Sequence, residues 1–302
     1  MKYAVIGTGA IGGYYGAKLA KSGQEVHFLL HSDYEHVKQH GLRIDSCDGS
    51  FHLDRVNAYD DPDHMPPCDV VLVCLKTTNN HLLPQLLTSA VRPDTLVVLI
   101  QNGIGVEADV QQQMPNLQLA AGLAFICSAK TQPGTVSHQC YGYINIGNFS
   151  CTNADIITQV VADFNAAGVD AHEVEYHEAR WKKAVWNMPF NGMTVALDTQ
   201  TDTLLAHPDT RRLIHSQMLE VIHAAQACGV DKIDESFADK MIYNTDHMTP
   251  YSPSMKLDYD FNRPMELDYI YTRPLQIARQ IGSPMPQLEM LEAELRFKEI
   301  IK

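Results

Sequence analysis

The hydrophobic and polar positions of this chain change their spacing near residue 176, which predicts two kinds of architecture. Before that point, continuous apolar runs typical of strands buried on both faces alternate with stretches of helical spacing. This alternation predicts a parallel, doubly wound sheet with crossover helices. The predicted elements are strands over residues 3–6, 25–30, 69–75 and 95–100 and a helix over residues 10–22 that Gly23 ends.

The apolar runs continue with strands predicted over residues 119–126, 135–138 and 143–146. Turn residues separate the last two strands, which favours an antiparallel pair. A helix over residues 155–167, closed by Gly168, and a short strand over residues 169–174 are predicted to complete this half of the chain.

After about Tyr176 the apolar residues fall at helical spacing, and apolar β-branched runs no longer occur. The predicted helices span residues 178–197, 210–227, 234–243, 265–280 and 286–300. A loop rich in proline and serine, residues 249–254, interrupts them, and such loops often carry function on a rigid scaffold. The sequence therefore predicts an α/β domain over residues 1–175 and an all-α domain over residues 176–302.

The size and composition suit a globular protein with two cores. A chain of 302 residues lies near the length at which single hydrophobic cores stop growing, and 45% hydrophobic and 20% charged residues are ordinary. The net charge of −13 disfavours binding to nucleic acid or to an anionic membrane. The first apolar run is too short for a leader or a membrane span. We therefore expect a cytoplasmic protein whose partner is a small molecule.

The seven cysteines predict neither a metal site nor a disulfide framework, because their number is odd and no CxxC spacing occurs. His36 and His40 have the i, i+4 spacing of metal ligands on a helix, but they lie on a polar stretch without a third ligand nearby in the sequence. We interpret the cysteines as reduced packing residues and these histidines as exposed helix residues, and we expect no bound metal.

Residues 7–12 read Gly-Thr-Gly-Ala-Ile-Gly and form a GxGxxG pattern. The pattern alone also occurs in ordinary turns, but here it follows a predicted strand and opens a predicted helix. In that context Gly7 permits the tight turn, Gly9 lets a pyrophosphate approach the backbone, and Gly12 lets the helix pack on the strand. N–H groups at the helix N terminus favour an anion. The sequence therefore predicts a nucleotide with two phosphates as ligand.

A second signal lies in the helix predicted over residues 178–197. Lys183, Asn187 and Asn191 are spaced i, i+4, i+8 and project from one face, which Lys182 does not share. A cation and two amides on a largely apolar helix require partners if they are buried, and a substrate with a carboxylate or carbonyl group would provide them. A solvated helix face explains the same spacing equally well.

Two further positions are weaker signals on local evidence. Glu266 follows Pro264 near the N terminus of the helix predicted over residues 265–280, where a glutamate often serves only the helix dipole. Asn102 follows the strand predicted over residues 95–100, at the carboxyl edge of the sheet where ligands of such folds bind. A plain turn also explains Asn102.

Taken together, these residues resemble the ketopantoate reductases (2-dehydropantoate 2-reductases), relatives of the 6-phosphogluconate dehydrogenase-like enzymes. The resemblance covers nearly the whole chain. It rests on the order and spacing of the GxGxxG loop, Leu75-Lys76 at a strand end, Asn102-Gly103-Ile104-Gly105, the helix with Trp181-Lys182-Lys183 and two asparagines, and Ser254 twelve residues before Glu266-Leu267-Asp268-Tyr269. It implies a Rossmann-type α/β domain followed by an all-α domain, and NADPH-dependent reduction of ketopantoate to pantoate for pantothenate and coenzyme A biosynthesis.

The resemblance also implies roles for individual residues. Lys183, as the acid, and Glu266, near the nicotinamide ribose and the substrate, are implied as catalytic. Asn102, Asn187, Asn191 and Ser254 are implied to hold the substrate. The implied cofactor contacts are Gly7, Thr8, Gly9, Ala10, Ile11, Gly12, His31, Ser32, Lys76, Asn102, Ser128 and Glu266. The helical domain is also a candidate homodimer interface.

The chain departs from the family pattern where the cofactor ribose is expected. His31-Ser32 stands where the family usually has an arginine for the 2′-phosphate of NADP. No acidic residue occupies these two positions to bind the 2′-hydroxyl of NAD, but Asp33 is close enough to leave the choice open. We expect NADPH, because His31, Ser32 and Lys38 can accommodate a phosphate.

The chain also departs from the pattern at substrate positions, in residues 198–201 (Asp-Thr-Gln-Thr) and at Tyr251. The first alternative is therefore a reductase of another branched 2-oxo acid that uses the same mechanism. The second is a non-catalytic NAD(P)-binding sensor, which would need the glycine loop but not Lys183 and the asparagines.

Overall fold

The computed structural model describes residues 1–250 and 252–301. Tyr251, noted above as a departure from the family pattern, lies outside the described residues. The chain divides into two compact units. The first contains Met1–Gln101 and Glu107–Tyr176, and the second contains Asn102–Val106 and His177–Lys302. The short segment Asn102–Val106 therefore belongs to the helical unit, which a single division after residue 175 did not anticipate.

The first unit is built on one sheet, which has ten strands within the described residues. The strands are β1 Lys2–Ile6, β2 Glu25–Leu29, β3 Leu42–Ser46, β4 Phe51–Leu53, β5 Asn57–Tyr59, β6 Val70–Val73, β7 Leu96–Leu99, β8 Gln118–Gln132, β9 Thr135–Asn148 and β10 Ala171–Val174. Their order is β4-β3-β9-β8-β7-β6-β1-β2-β5, and β10 pairs with β9. Strands β5, β2, β1, β6, β7 and β8 run parallel, so their carboxyl ends meet at one edge, where ligands of doubly wound sheets bind.

Helices connect these strands, as the alternating pattern predicts. They are α1 Ala10–Lys21, α2 Tyr34–His40, α3 Leu83–Leu86, α4 Val106–Gln113 and α5 Ala154–Ala166, with 3₁₀ helices over Pro62–His64 and Thr77–Leu82. The apolar runs of the sequence form the core of the unit. Val5, Leu72 and Val98, from β1, β6 and β7, are fully buried together with Tyr15 of α1.

The prediction of an antiparallel pair between residues 135–138 and 143–146 is wrong. Both segments belong to β9, which pairs antiparallel with β8 along its length. Phe125 pairs with Tyr143 and Ile126 with Tyr141, so Gly142 is an extra residue in β9. Tyr141 and Gly142 have φ angles of +61° and +116°. Because such a bulge bends a strand without ending it, its sequence resembles that of a turn.

The second unit is helical throughout its described residues. Its helices are α6 Tyr176–Ala196, α7 Thr201–Ala206, α8 Pro208–Ala227, α9 Ser236–Asp246, α10 Ser254–Asp260, α11 Arg273–Gln280 and α12 Pro286–Ile300. Helix α6 begins on the last residue of the first unit. A π-helix over Asp268–Thr272 precedes α11. Val185, Phe190, Val221 and Leu288 are fully buried in its core. No helix in the described part of the chain is long and apolar enough to cross a membrane.

One helix start in this unit differs from the prediction. The helix expected from residue 265 is replaced by a segment without regular structure over residues 263–266, followed by the π-helix. The Leu267 N–H bonds the carbonyl oxygen of Met265, and the Met265 N–H donates to Glu299 Oε1 at 2.8 Å. Because these bonds hold the chain outside a helix, Glu266 precedes the helix rather than lying in its first turn.

Candidate active site

The loop between β1 and α1 has the geometry that the glycine pattern requires. Gly7 has a φ of +91°, and a Cβ on Gly12 would lie 2.4 Å from the carbonyl oxygen of Gly7. A Cβ on Gly9, in contrast, would meet no described atom within 4 Å. Gly9 is also the N-cap of α1, and no side chain of the described residues caps this helix end. Open space in front of an uncapped helix N terminus suits a bound pyrophosphate, so the residues fit a dinucleotide.

The glycine loop is tied to the end of β2. The Thr8 hydroxyl donates to the carbonyl oxygen of Leu29 at 2.8 Å. His31 and Ser32 follow directly and are exposed. The two sequence segments expected to contact the cofactor thus lie side by side at the carboxyl edge of the sheet, because β1 and β2 are paired in register.

Asp33, which left the choice of cofactor open, is a buried and fully engaged carboxylate. Lys130 Nζ lies 2.6 Å from Asp33 Oδ1, the Gly134 N–H donates to Oδ2 at 3.0 Å, and the Ser32 hydroxyl donates to Oδ1 at 3.0 Å. Burial raises the pKa of Asp33, but the hydrogen bonds from Lys130 and Gly134 outweigh it and hold the pKa below its usual range. The charge of Asp33 is therefore neutralised within the protein.

Two other predicted cofactor residues lie beside or on the same sheet. Lys76 is half-buried and follows β6, directly before the 3₁₀ helix Thr77–Leu82. Ser128 lies on β8, and its buried Oγ has no hydrogen-bond partner among the described residues. A buried hydroxyl without a partner is costly, so Ser128 has a hydrogen bond to offer a ligand.

The helical unit contains a cavity of about 260 Å³, counted with the part that opens to solvent. Helix α6 provides one wall with the charged and amide side chains of Arg180, Lys183 and Asn187. These three share one face of the helix, as the i+3 and i+7 spacing requires. The residues that line the cavity are Gly103, Ile104, Arg180, Lys183, Ala184, Asn187, Met188, Tyr269 and Ile270.

Lys183 is the residue of this cavity with the most altered chemistry. Its pKa falls from the usual 10.5 to about 7, because desolvation, and to a smaller extent the buried Arg180 guanidinium, lower it more than the Glu266 carboxylate raises it. The neighbouring Lys182 does not line the cavity and instead pairs with Glu178 on its own helix. Lys183 can therefore hold or release a proton near neutral pH.

The polar face predicted on α6 divides into two parts. Lys183 and Asn187 line the cavity, but Asn191 does not. Asn191 is buried, and its side-chain oxygen accepts the N–H of Met255 at 3.2 Å, at the N terminus of α10. Asn191 thereby positions Ser254, the first residue of α10.

Residues 198–201, which depart from the family pattern, contact the same helix α10 through Asp198. Asp198 has a φ of +50°, and its carboxylate lies 2.9 Å from the ammonium group of the buried Lys256. Thr201 is also buried, at the start of α7. A change in residues 198–201 can therefore act on Ser254 through Lys256, without a direct contact with a ligand.

Asn102 begins the segment that forms another wall of the cavity. The Ile104 N–H donates to the carbonyl oxygen of Tyr269 at 2.9 Å, and a Cβ on Gly103 would lie 2.5 Å from that oxygen. Gly103 also has a φ of +104°. The Asn-Gly-Ile-Gly sequence thus permits a close approach to the π-helix, and Asn102 itself is half-buried beside it.

Sequence reasoning missed Arg180 and Tyr269, which both line the cavity. Arg180 lies three residues before Lys183 and seven before Asn187, so a helical projection that included it would have shown a larger polar face. Tyr269 had no local signal, because it reaches the cavity through the packing of the π-helix against residues 102–106.

Two family models match the two parts of the chain. Residues 3–150 match the family model described as ketopantoate reductase PanE/ApbA. Residues 175–299 match the model described as ketopantoate reductase PanE/ApbA C terminal. A curated 2-dehydropantoate 2-reductase from a Nostoc species is 46% identical over 302 residues, which cover 98% of this chain and 94% of that protein.

Solved structures agree with these matches. The crystal structure of a 2-dehydropantoate 2-reductase from Geobacter metallireducens has a TM-score of 0.94 and 38% identity, and covers 98% of this chain and 99% of its own. A 2-dehydropantoate 2-reductase from Methylococcus capsulatus has a TM-score of 0.91 and 35% identity, with coverage of 99% and 97%.

The parallel sheet with its glycine loop, the helical unit and the two family models place the chain in the class of nicotinamide-dependent oxidoreductases with a Rossmann-type and an all-α domain. The fold class predicted from the sequence is thereby confirmed. Within that class, the chain belongs to the ketopantoate reductase PanE/ApbA family, as the resemblance indicated.

Proposed function

We propose that this protein reduces 2-dehydropantoate (ketopantoate) to pantoate with NADPH, in pantothenate and coenzyme A biosynthesis. The observation that carries the proposal is Lys183, a lysine with a pKa of about 7 in a cavity of a chain that belongs to the ketopantoate reductase family. The Nostoc relative carries the name of this activity.

The first unit is the proposed cofactor site. The open space at Gly9 and the N terminus of α1 receive the pyrophosphate, with Gly7, Thr8, Ala10, Ile11 and Gly12 shaping the loop. Lys76 and Ser128 of this unit are further proposed cofactor contacts, and Asn102 is a proposed contact from the helical unit. When bound, the nicotinamide ring supplies a hydride to the carbonyl carbon of the substrate.

Lys183 is the proposed proton donor to the substrate's carbonyl oxygen. A lysine with the usual pKa is too weak an acid to donate its proton efficiently, whereas a pKa of about 7 lies near the working pH. The substrate's carboxylate raises the pKa of Lys183 in the complex, because a nearby negative charge favours the protonated amine. Binding of a 2-oxo acid therefore places the proton on Lys183 before it is needed.

The other polar groups of the helical unit hold the substrate in our proposal. Asn187 lines the cavity one helical turn from Lys183 and orients the ketone and hydroxyl oxygens, which converts an encounter into a positioned reaction. Ser254 and Asn102 hydrogen-bond the substrate. Asn191 is a predicted substrate contact as well, and it also holds the N terminus of α10 in place through its bond to the Met255 N–H. Glu266 sustains the protonated form of Lys183 and contacts the nicotinamide ribose.

The state of Asp33 supports the proposal of NADPH over NADH. An acid after the second strand selects NAD when its carboxylate can bind the ribose 2′-hydroxyl. Asp33 instead accepts hydrogen bonds from Lys130, Gly134 and Ser32, so its negative charge is compensated. Lys130 and the exposed His31 and Ser32 then favour a 2′-phosphate, and we propose them as the groups that replace the usual arginine.

The test is the loss of reduced-nicotinamide absorbance with purified protein and ketopantoate, run with NADPH and with NADH and repeated with other branched 2-oxo acids. Fast turnover of ketopantoate with NADPH supports the proposal. If another 2-oxo acid reacts and ketopantoate does not, the substrate is that acid, and residues 198–201 are the candidates for the changed specificity. Binding of NADPH without any turnover would favour the sensor. The homodimer and the cytoplasmic location expected from the sequence remain predictions.

A further inference from the structure

A second group of reactive side chains lies in the first unit, on the turn between β3 and β4 and on β9. One group of three potential metal ligands occurs in the described residues: Cys47, Asp48 and His138. The ligand atoms of these side chains all lie within 4.8 Å of one another. His138 Nδ1 is 3.8 Å from Cys47 Sγ and 3.8 Å from Asp48 Oδ2. Cys47 Sγ is 3.6 Å from Asp48 Oδ1.

His138 is oriented as a metal-binding histidine is. Its Nε2 lies 3.0 Å from the backbone oxygen of Tyr141, and a carbonyl can only accept, so Nε2 carries the hydrogen. Nδ1 then keeps its lone pair, on the side of the ring where the Ser46 hydroxyl lies at 2.9 Å and Cys47 and Asp48 lie at 3.8 Å. The buried ring also packs against Tyr14, with centroids 4.5 Å apart. A backbone acceptor on the far ring nitrogen is the usual support of a ligating histidine.

The turn that carries Cys47 and Asp48 is held in place by hydrogen bonds. The Cys47 N–H donates to the carbonyl oxygen of His138 at 3.0 Å, and β3 pairs with β9 at Ser46 and His138. The Asp48 N–H donates to Ser46 Oγ at 3.1 Å, and the Ser46 N–H donates to Ser50 Oγ at 3.1 Å. Little ordering is therefore needed to bring the three ligands together.

We propose that Cys47, Asp48 and His138 bind a zinc-type divalent cation. Zinc bond lengths imply ligand separations of about 3.6 Å for sulfur to nitrogen and about 3.4 Å for nitrogen to oxygen at tetrahedral angles. The present separations differ from these by a few tenths of an ångström. A thiolate, an imidazole and a carboxylate together suit zinc or cobalt rather than magnesium, and the exposed Cys47 and Asp48 leave a coordination position to water.

Binding exchanges existing contacts within this cluster. The cation replaces the proton of the Cys47 thiol, which passes to solvent, and it takes the Nδ1 lone pair that now lies 2.9 Å from the Ser46 hydroxyl. It would join the β3–β4 turn to β9, two segments about ninety residues apart in the sequence, and so stabilise the α/β unit. The proposal does not depend on the proposed function, since none of the three residues is assigned to substrate or cofactor.

The experiment is a cobalt titration of the full-length, reduced and chelator-treated protein, followed by absorbance. Thiolate coordination gives a sulfur-to-cobalt charge-transfer band, which zinc should abolish at one equivalent by displacement. Cys47→Ser should remove the band, and Asp48→Asn should weaken zinc affinity roughly tenfold or more. Cys228→Ser is the matched control, because Cys228 is another exposed free cysteine, and should leave the band unchanged.

Stability provides a second readout. Zinc should raise the Tm of the wild-type protein and of Cys228→Ser but not of Cys47→Ser, and magnesium should have no effect. A wild-type protein without the band, or a band that persists in Cys47→Ser, would overturn the proposal. Ketopantoate reduction should be the same before and after chelation, so loss of the metal site and loss of the proposed enzyme activity are separable.

Discussion

The two units carry their chemistry in different ways. In the α/β unit the proposed cofactor site is made from backbone, because Gly7, Gly9 and Gly12 act through the space they leave and the N–H groups they present. In the helical unit the chemistry belongs to side chains, and the pKa of Lys183 is set by burial, then by Arg180 and Glu266. A binding site formed by backbone atoms can be recognised from a few consecutive residues. A site that depends on an altered side-chain pKa requires groups from segments that come together only in the folded chain.

The largest effect is expected from Lys183→Ala. Turnover of ketopantoate should fall by about 10²- to 10⁴-fold, while the Kd of NADPH stays unchanged, because the lysine acts on the transition state. Stopped-flow turnover and fluorescence titration of NADPH measure the two quantities. Lys182→Ala is the matched control and should keep wild-type turnover, since Lys182 pairs with Glu178 outside the cavity. Equal losses in the two variants would contradict the assignment.

Substitutions in the glycine loop should separate binding from folding. Gly9→Asp should abolish NADPH binding at unchanged thermal stability, because its Cβ meets open space but its charge opposes the pyrophosphate. Gly12→Ala should lower the free energy of unfolding by about 1–3 kcal/mol, because its Cβ would lie 2.4 Å from the Gly7 carbonyl oxygen. Chemical denaturation and NADPH titration test the pair.

Gly9→Asn distinguishes size from charge in the same loop. It should weaken NADPH binding less than Gly9→Asp does, since it lacks the negative charge. Normal NADPH affinity in Gly9→Asp would show that the loop does not receive the pyrophosphate.

A smaller effect is expected at the ribose end of the cofactor site. Lys130→Met leaves the Asp33 carboxylate without its ion-pair partner, so the ratio of kcat/KM for NADPH to that for NADH should fall by about tenfold, or about 1.4 kcal/mol. Adding Asp33→Asn to Lys130→Met should restore part of this preference. If the ratio is the same in all three proteins, the pair does not influence cofactor choice.

The smallest effect should be a displacement of the pH profile of reduction. With Lys183 as the acid, kcat/KM, which reports the free enzyme, should fall as pH rises through the Lys183 pKa of about 7. Glu266→Gln removes a charge that raises this pKa, so the midpoint should move to lower pH. Arg180→Met removes a charge that lowers it, so the midpoint should move to higher pH, each by roughly one unit.

The pH profiles are read from midpoints rather than from maximal rates, because both residues can also affect binding. Lys182→Met should leave the midpoint in place. Shifts of Glu266→Gln and Arg180→Met in the same direction would be inconsistent with charge coupling to Lys183.

Local pattern predicted much of the fold. The helix after the glycine loop, predicted over residues 10–22, is Ala10–Lys21, and the last helix, predicted over residues 286–300, is Pro286–Ile300. Both have strong end signals in glycine and proline. Strands β3, β4 and β5 were not predicted, because three to five residues with polar positions do not form an apolar run.

The prediction was weaker where distant segments meet. The bulge at Gly142 has the composition of a turn, and only the pairing of β9 with β8 shows that the strand continues. Glu266 was expected in a helix, but contacts of residues 265–267 hold it outside, and the helical segment begins only after it. The cluster of Cys47, Asp48 and His138 has no sequence signal, since His138 on β9 is about ninety residues from the turn that carries Cys47 and Asp48.

The sequence by itself determined the class of fold, the glycine loop and the common face of Lys183 and Asn187, because strand runs, tight turns and helical spacing are properties of neighbouring residues. The tertiary structure alone decided that Tyr269 lines the cavity beside that face, that Asp33 is neutralised by Lys130, and how far the pKa of Lys183 falls, to about 7. The physical reason is that desolvation and charge coupling depend on distance in space, and the packing of remote segments sets that distance.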